Sequence, residues 1–216
     1  MRKRKVCIME TYAAISARRT VRDFSDREID TEIIERIIDA GLKAPTNDHM
    51  RSWEFVVVRD MSKRAEIVNA IAELTNRADV DAWLDSWGAS DAVQRSMYLD
   101  AVPKQHAMLL KAGCLILPFF RQRGSLLRPE TLSSLNGFAS IWCCVENILI
   151  ASAAEGIYGV TRIPMGGELQ EIKKIIRHPD DYTMPCYIAL GYPAQDATMN
   201  EQKAVSAMEK IHTDIW

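Results

Sequence analysis

Residues 137–167 read GFASIWCCVENILIASAAEGIYGVTRIPMGG, and three elements follow one another there. From about 137 to 155 the chain is apolar on nearly every face, which predicts a helix buried all round, in a core or in a subunit interface. Gly156 suits the position just past its end. YGVTRI, 158–163, has the β-branched and aromatic content of a strand. PMGG, 164–167, is then a loop in which two glycines let the backbone approach a flat ligand, with N–H groups turned toward it. Two glycines are weak evidence alone, and a plain strand-to-helix turn would read the same way.

Working outward, 168–177 reads as a helix and MPCYIALGYP, 184–193, as an apolar strand closed by a Gly-Tyr-Pro turn. The tail, 200–216, is expected to begin helically. Upstream, CLILPFF, 114–120, is a short continuous apolar run and a good central strand. A polar connection, 121–136, follows it. WEFVVVRD, 53–60, is a second buried strand. Ser62 is placed to cap a helix reaching about Asn76. Residues 77–112 are helical in character but interrupted, and hold Trp83, Trp87 and Tyr98. Residues 10–19 read as a helix, and Thr20 to Ile29 as extended. Ile33, Ile34, Ile37 and Ile38 recur at helical spacing behind Asp30, so 31–43 is amphipathic and helical. Strands and helices interleave, but the strands are few and irregularly spaced; 216 residues suit one domain or at most two small ones, and one α+β domain over 1–216 is expected.

The bulk numbers narrow the function. A chain of 216 residues that is 48% hydrophobic is long enough for a real core and argues against disorder. A formal net charge of −2 offers no global field to nucleic acid or to a membrane surface. No uninterrupted apolar stretch reaches the length of a membrane span, since 138–154 contains Glu146 and Asn147. Cysteines stand at 7, 114, 143, 144 and 186, with no C-x-x-C. They read as buried free thiols of a reducing cytosol, not as a disulfide framework or a metal site. The basic head MRKRK lacks an apolar run of signal length, so a cytoplasmic location is expected. There is no G-x-G-x-x-G after a strand, no phosphate-binding G-x-x-x-x-G-K, and no H-E-x-x-H.

Two further stretches carry candidate chemistry. RRTVRDF, Arg18 to Phe24, puts three arginines within five residues, where guanidinium groups can grip a phosphate through paired, charge-assisted bonds. A charge run of this kind is as readily a solvated turn. PTNDHMRSW, Pro45 to Trp53, is a polar loop between a helix and a strand, the usual place for ligand-binding groups on a rigid scaffold. His49 within it is by itself more often a surface histidine than a catalyst.

Taken together these stretches resemble the nitroreductase-like family of FMN enzymes. The family opens R-R-S-x-R-x-F, as in RRTVRDF here, and follows a helix, here ending AGLKAPT, with an A-P-S-x-x-N-x-Q-P-W loop. GFASIWCCVENILIASAAEGIYGV is similar to its long central helix and following strand. YTMPCYIALGYP is similar to its closing strand, and I-H-x-x-x-W to the end of some members. The match covers roughly 10–60 and 137–216, with 77–136 the variable segment that shapes the acceptor pocket.

The resemblance implies a central, mostly antiparallel sheet flanked by helices, in an intertwined homodimer with FMN at the interface. Arg18 and Arg19 would hold the phosphate and ribityl end, with Thr20 beside them. Arg22 would lie near the N1/O2 edge of the flavin, where a cation stabilises the reduced form's charge. Pro45, Thr46, Asn47, His49 and Arg51 would come from the other subunit. Pro164, Met165, Gly166 and Gly167 would lie against the ring, and Lys203 is a candidate second phosphate ligand. NADH or NADPH would donate hydride, and a nitroaromatic, quinone or similar small acceptor would take the electrons by a ping-pong mechanism. No protein general acid is required, although His49 is a candidate proton donor to the acceptor. The sequence departs from the pattern where His49, Arg51 and Ser52 replace Asn, Gln and Pro, and where Gly166 replaces an acidic residue. Arg51 could therefore bias the site toward anionic acceptors or raise the flavin potential. A flavin-holding protein with little turnover, and another family chemistry such as reductive dehalogenation, are the alternatives. No metal and no nucleic-acid partner is expected.

Overall fold

The structure is a computed structural model and describes residues 9–71, 77–199, 202 and 204–216. Its helices are α1 (Thr11–Ala17), α2 (Thr31–Gly41), α3 (Met61–Val68), α4 (Arg77–Ser86), α5 (Ala92–Ala101), α6 (Gln105–Lys111), α7 (Asn136–Ala154) and α8 (Glu168–Ile176). Its strands are β1 (Trp53–Val58), β2 (Cys114–Arg121), β3 (Tyr158–Arg162), β4 (Tyr182–Thr183) and β5 (Tyr187–Gly191). The sheet runs β1-β2-β5-β3, with β4 on the far end of β2, and its ladders are antiparallel.

Strand β2 explains the layering. Every residue from Cys114 to Phe120 is buried, so the strand must face apolar partners on both sides. Cys114, Ile116 and Phe120 pack with α2 and α7, while Leu115, Leu117 and Phe119 pack with α3, α6 and α8. The period of two along one strand therefore sorts the core into two halves, one above and one below the sheet. A small third cluster, Val80, Leu84 and Val102 with Trp83 and Tyr98, holds α4 and α5 together as a satellite.

Helix α2 presents Ile33, Ile34 and Ile37 as a buried stripe, as their spacing requires. It meets α7 very closely. A Cβ on Gly41 would stand 2.7 Å from Cγ1 of Ile148 and 3.0 Å from Sγ of Cys144, so this crossing depends on the absence of a side chain. Helix α3 is capped by Asp60, whose carboxylate accepts from the Lys63 N–H at 2.6 Å, and not by Ser62 as expected. Asp60 stands directly before the first helical residue, where its carboxylate reaches the first-turn N–H groups, whereas Ser62 lies inside that turn. The helix ends at Val68, and most of the expected continuation toward Asn76 lies outside the described residues.

Helix α7 departs from the expectation of burial on every side. Ile141, Cys144, Val145 and Ile148 are buried, but Ala139, Cys143 and Glu146 are exposed and Trp142 is only half-buried. The stretch Leu132–Ala154, counting the 3-10 turn before the helix, is by length and composition apolar enough to cross a membrane, contrary to the sequence expectation. One face of it packs on α1, α2, β2 and β3. The tail also differs: its described part holds only a short 3-10 turn, Ala207–Glu209, rather than a leading helix. Met208, Ile211, Ile215 and Trp216 are exposed along it.

Candidate functional site

The glycine loop is set by what brackets it. Strand β3 ends at Arg162, and α8 begins at Glu168. Both side chains are about 7% exposed, and they form a two-pronged ion pair with N–O distances of 2.6 and 2.7 Å. Between them, Ile163, Met165, Gly166 and Gly167 are exposed and Pro164 is half-buried. Gly166 has φ +53° and nothing within 4 Å of a Cβ position. Glycine adopts this left-handed backbone without the penalty a Cβ brings, and the space beside it is open. The loop forms one side of a cavity of about 530 Å³ whose other walls include Trp83, Val102 and Gln105. That volume suits a flat organic molecule.

The opening segment is held beside the same strand. Thr20 bridges Gly159 in parallel, and the Val21 N–H donates to the Gly159 carbonyl at 3.3 Å. Thr20 to Arg22 and β3 thus advance together toward the glycine loop. Arg22 is half-buried, with Nη1 3.9 Å from Asp100 on α5. Burial lowers its guanidinium pKa, and Asp100 and Asp23 oppose that shift. Lys104 pairs with both of these carboxylates at 2.6 Å. Arg18 pairs with Glu146 of α7 at 3.3 Å, and Arg19 donates to the carbonyls of Ser16 and Arg18.

The loop before β1 is built differently from its sequence appearance. Pro45, Asn47 and His49 are exposed. His49 and Arg51 take φ values of +59° and +47°. Arg51 folds back, donating through Nε to the Leu42 carbonyl at 2.9 Å and through Nη1 to His49 at 3.2 Å. Its charge is therefore spent on the open end of α2, where a cation is favoured. Thr46 carries a buried hydroxyl with no hydrogen-bond partner among the described residues. This loop and the glycine loop lie at the same end of the sheet but at opposite edges, since β1 and β3 are the two outer strands. Three interstrand steps of about 4.8 Å separate them by roughly 14 Å within one chain.

The cavity thus unites Met165, Gly166 and Gly167, with Arg162 and Glu168 beside them, and Trp83 of α4, Val102 just past α5 and Gln105 of α6; its lining includes neither the opening arginines nor the 45–52 loop. Lys203 lies outside the described residues. Of the three aromatics, Trp83 lines the cavity; Trp87 and Tyr98 pack behind it, with ring centroids 4.4 and 6.0 Å from its own. Among the described residues no group of three or more His, Cys, Asp or Glu side chains could hold a metal ion.

Sequence reasoning missed Arg162, Glu168, Gln105 and Tyr187. Arg162 donates through Nε to Gln105 Oε1 at 2.7 Å, and the buried Tyr187 hydroxyl donates to Glu168 at 3.2 Å. Burial, and then the Glu168 carboxylate, push the Tyr187 pKa up. The available signal was an arginine ending an apolar strand and a glutamate starting the next helix, one on each side of a glycine loop.

The α+β core thus carries an opening arginine segment, a glycine loop and a helical satellite. The chain belongs to the Nitroreductase family, whose model matches residues 15–192. It is 29% identical over 192 residues to an iodotyrosine deiodinase from Haliscomenobacter hydrossis, covering 87% of this chain and 81% of that protein. It is 25% identical over 219 residues to a Methanothermobacter thermautotrophicus protein provisionally described as an NADH dehydrogenase/NAD(P)H nitroreductase, covering 98% and 91%. Among solved structures, an iodotyrosine deiodinase bound to FMN and 3-iodo-L-tyrosine superposes with a TM-score of 0.71 at 16% identity, covering 96% of this chain and 100% of that one.

Proposed function

We propose that this chain is an FMN-dependent oxidoreductase that works as a homodimer. The observation that carries the proposal is the exposed glycine loop, with Gly166 held at φ +53° beside open space, on one side of a cavity of about 530 Å³. The residues present fit FMN. Arg18, Arg19 and Thr20 would hold its phosphate end, and Arg22 its N1/O2 edge. The backbone of Pro164 to Gly167 would lie along the ring, where exposed N–H groups stabilise developing charge. The partnerless Thr46 hydroxyl is the kind of group a ligand satisfies. When bound, the flavin supplies the redox chemistry, taking hydride from NADH or NADPH and passing electrons to a small organic acceptor in a ping-pong cycle.

The roughly 14 Å between the 45–52 loop and the glycine loop supports a shared site, in which one chain's loop covers the flavin of its partner. The half-exposed apolar face of α7 and the exposed Met208, Ile211 and Ile215 supply surface for such a pairing. A cytoplasmic location is part of the same proposal, in keeping with the buried free thiols of Cys114, Cys144 and Cys186.

Arg51 is turned onto its own loop, and Arg162 is neutralised by Glu168, so the acceptor we propose is flat and uncharged rather than anionic. Reductive dehalogenation of an aromatic acceptor is a second reading, favoured by the similarity to iodotyrosine deiodinases. Anaerobic addition of NADH or NADPH to the FMN-loaded protein should bleach its visible absorbance. Nitroaromatic, quinone and halophenol acceptors, with halide release measured for the last, then separate the two readings. A protein that cannot be loaded with FMN would overturn both.

A further inference from the structure

The Arg162–Glu168 pair is more than the reading above requires. A buried ion pair seldom adds net stability, because desolvation offsets the attraction, and apolar replacements are often neutral. What a bidentate pair does supply is fixed geometry. Here it joins the two residues that flank the loop 163–167 and so closes the loop at its base. Tyr187 stands opposite Arg162 in the β3–β5 ladder, and its hydroxyl holds the carboxylate from the sheet side. Gln105, the first residue of α6, holds the third face of the guanidinium. A rigid strand, the glycine loop and the helical wall of the cavity therefore meet at one guanidinium. The turn inside the loop, a Glu168 N–H to Met165 carbonyl bond of 3.1 Å, is local. With Gly166 and Gly167 in it, the loop has little intrinsic stiffness of its own.

We propose that Arg162 and Glu168 are positioning residues, a clamp that fixes the glycine loop for its ligand, with Gln105 coupling the clamp to the helical wall of the same cavity. The ligand part of this inference rests on the flavin reading. Arg162 and Glu168 also border the cavity beside the loop, and the role assigned to them is to fix that loop. Glu168 and Gln105 take one N–H from each of the three nitrogens of Arg162, and Glu168 balances its charge.

The test is the triple variant Arg162→Met, Glu168→Leu, Tyr187→Phe, which removes both charges and the hydroxyl that would otherwise lose its acceptor. Gln105, half-buried at the cavity, can turn to water. Three quantities are compared with the unaltered protein: thermal unfolding, amide hydrogen exchange across 163–168 in the apoprotein, and FMN affinity with midpoint potential. The clamp predicts an unfolding temperature close to the original, faster exchange across the loop, FMN binding weakened about tenfold, and a shifted potential. A stable variant with unchanged exchange, affinity and potential would overturn it. If the triple variant does not fold, Glu168→Asp decides, since it keeps the charge but draws the carboxylate back: altered exchange and potential support the clamp, and unaltered values refute it. If the unaltered protein takes up no FMN, the flavin reading falls by itself, while exchange in the apoprotein still judges the clamp.

Discussion

Thr46 offers the sharpest test at the level of single residues. Its hydroxyl is buried without a partner, a condition that costs stability in the empty protein. Thr46→Val should therefore raise apoprotein stability by about 1 kcal/mol and yet weaken FMN binding. Thermal unfolding with and without FMN would show the two effects with opposite signs. Arg22→Leu should slow flavin reduction about 100-fold, the scale of losing one preorganised donor to developing charge. Asp100 keeps Lys104 as its partner in that variant, so the fold should persist, and anaerobic stopped-flow measures the rate. The arginine run was legible in the sequence because residue types show directly. The direction of Arg51 was not, since it depends on positive φ values at His49 and Arg51 that ordinary residues seldom adopt. The Arg162–Glu168 pair was illegible for a related reason: two separate residues meet only once the loop between them has closed.

Secondary elements were read well wherever an apolar period was strong. The helix 31–43 and the strands 53–60, 114–120 and 158–163 all appear with ends shifted by a few residues. Helix α7 shows the limit of periodicity. Apolar residues on every side do not say which side this chain covers and which side it leaves open. Two predictions belong here. Gly41→Ala gains about 1 kcal/mol of helix propensity but places a Cβ 2.7 Å from Ile148, inside a packed crossing. Overpacking costs about 1–3 kcal/mol, so a net loss of about 1 kcal/mol is expected in urea unfolding. Cys143 lies on the open face of α7, while Cys144 beside it is buried. A maleimide should label Cys143 readily in dissociated chains and slowly in the proposed dimer. Equal rates in both would remove α7 from the interface.

For the whole molecule, burial pushes the thiol of Cys114 up to about 11, and those of Cys144 and Cys186 up to about 12. The unfolded chain loses these protons first, near the ordinary value of about 8.5. The native state then binds more protons than the unfolded one, so stability falls as pH rises. The stability is fully present below about pH 8.5 and is lost progressively toward pH 11–12. A Cys186→Ala variant lacks one of these groups, so its stability deficit against the unaltered protein should narrow between pH 8 and pH 10.5, read as urea midpoints. In the proposed dimer, one flavin site is built from two chains. The most direct measurement of this mixes a chain carrying Arg18→Ala and Arg22→Ala with one carrying Thr46→Val and Asn47→Ala, allows subunit exchange, and titrates FMN. The mixture should bind FMN more tightly than either variant alone, because a mixed dimer restores one intact site. A mixture no better than its components would contradict the shared site.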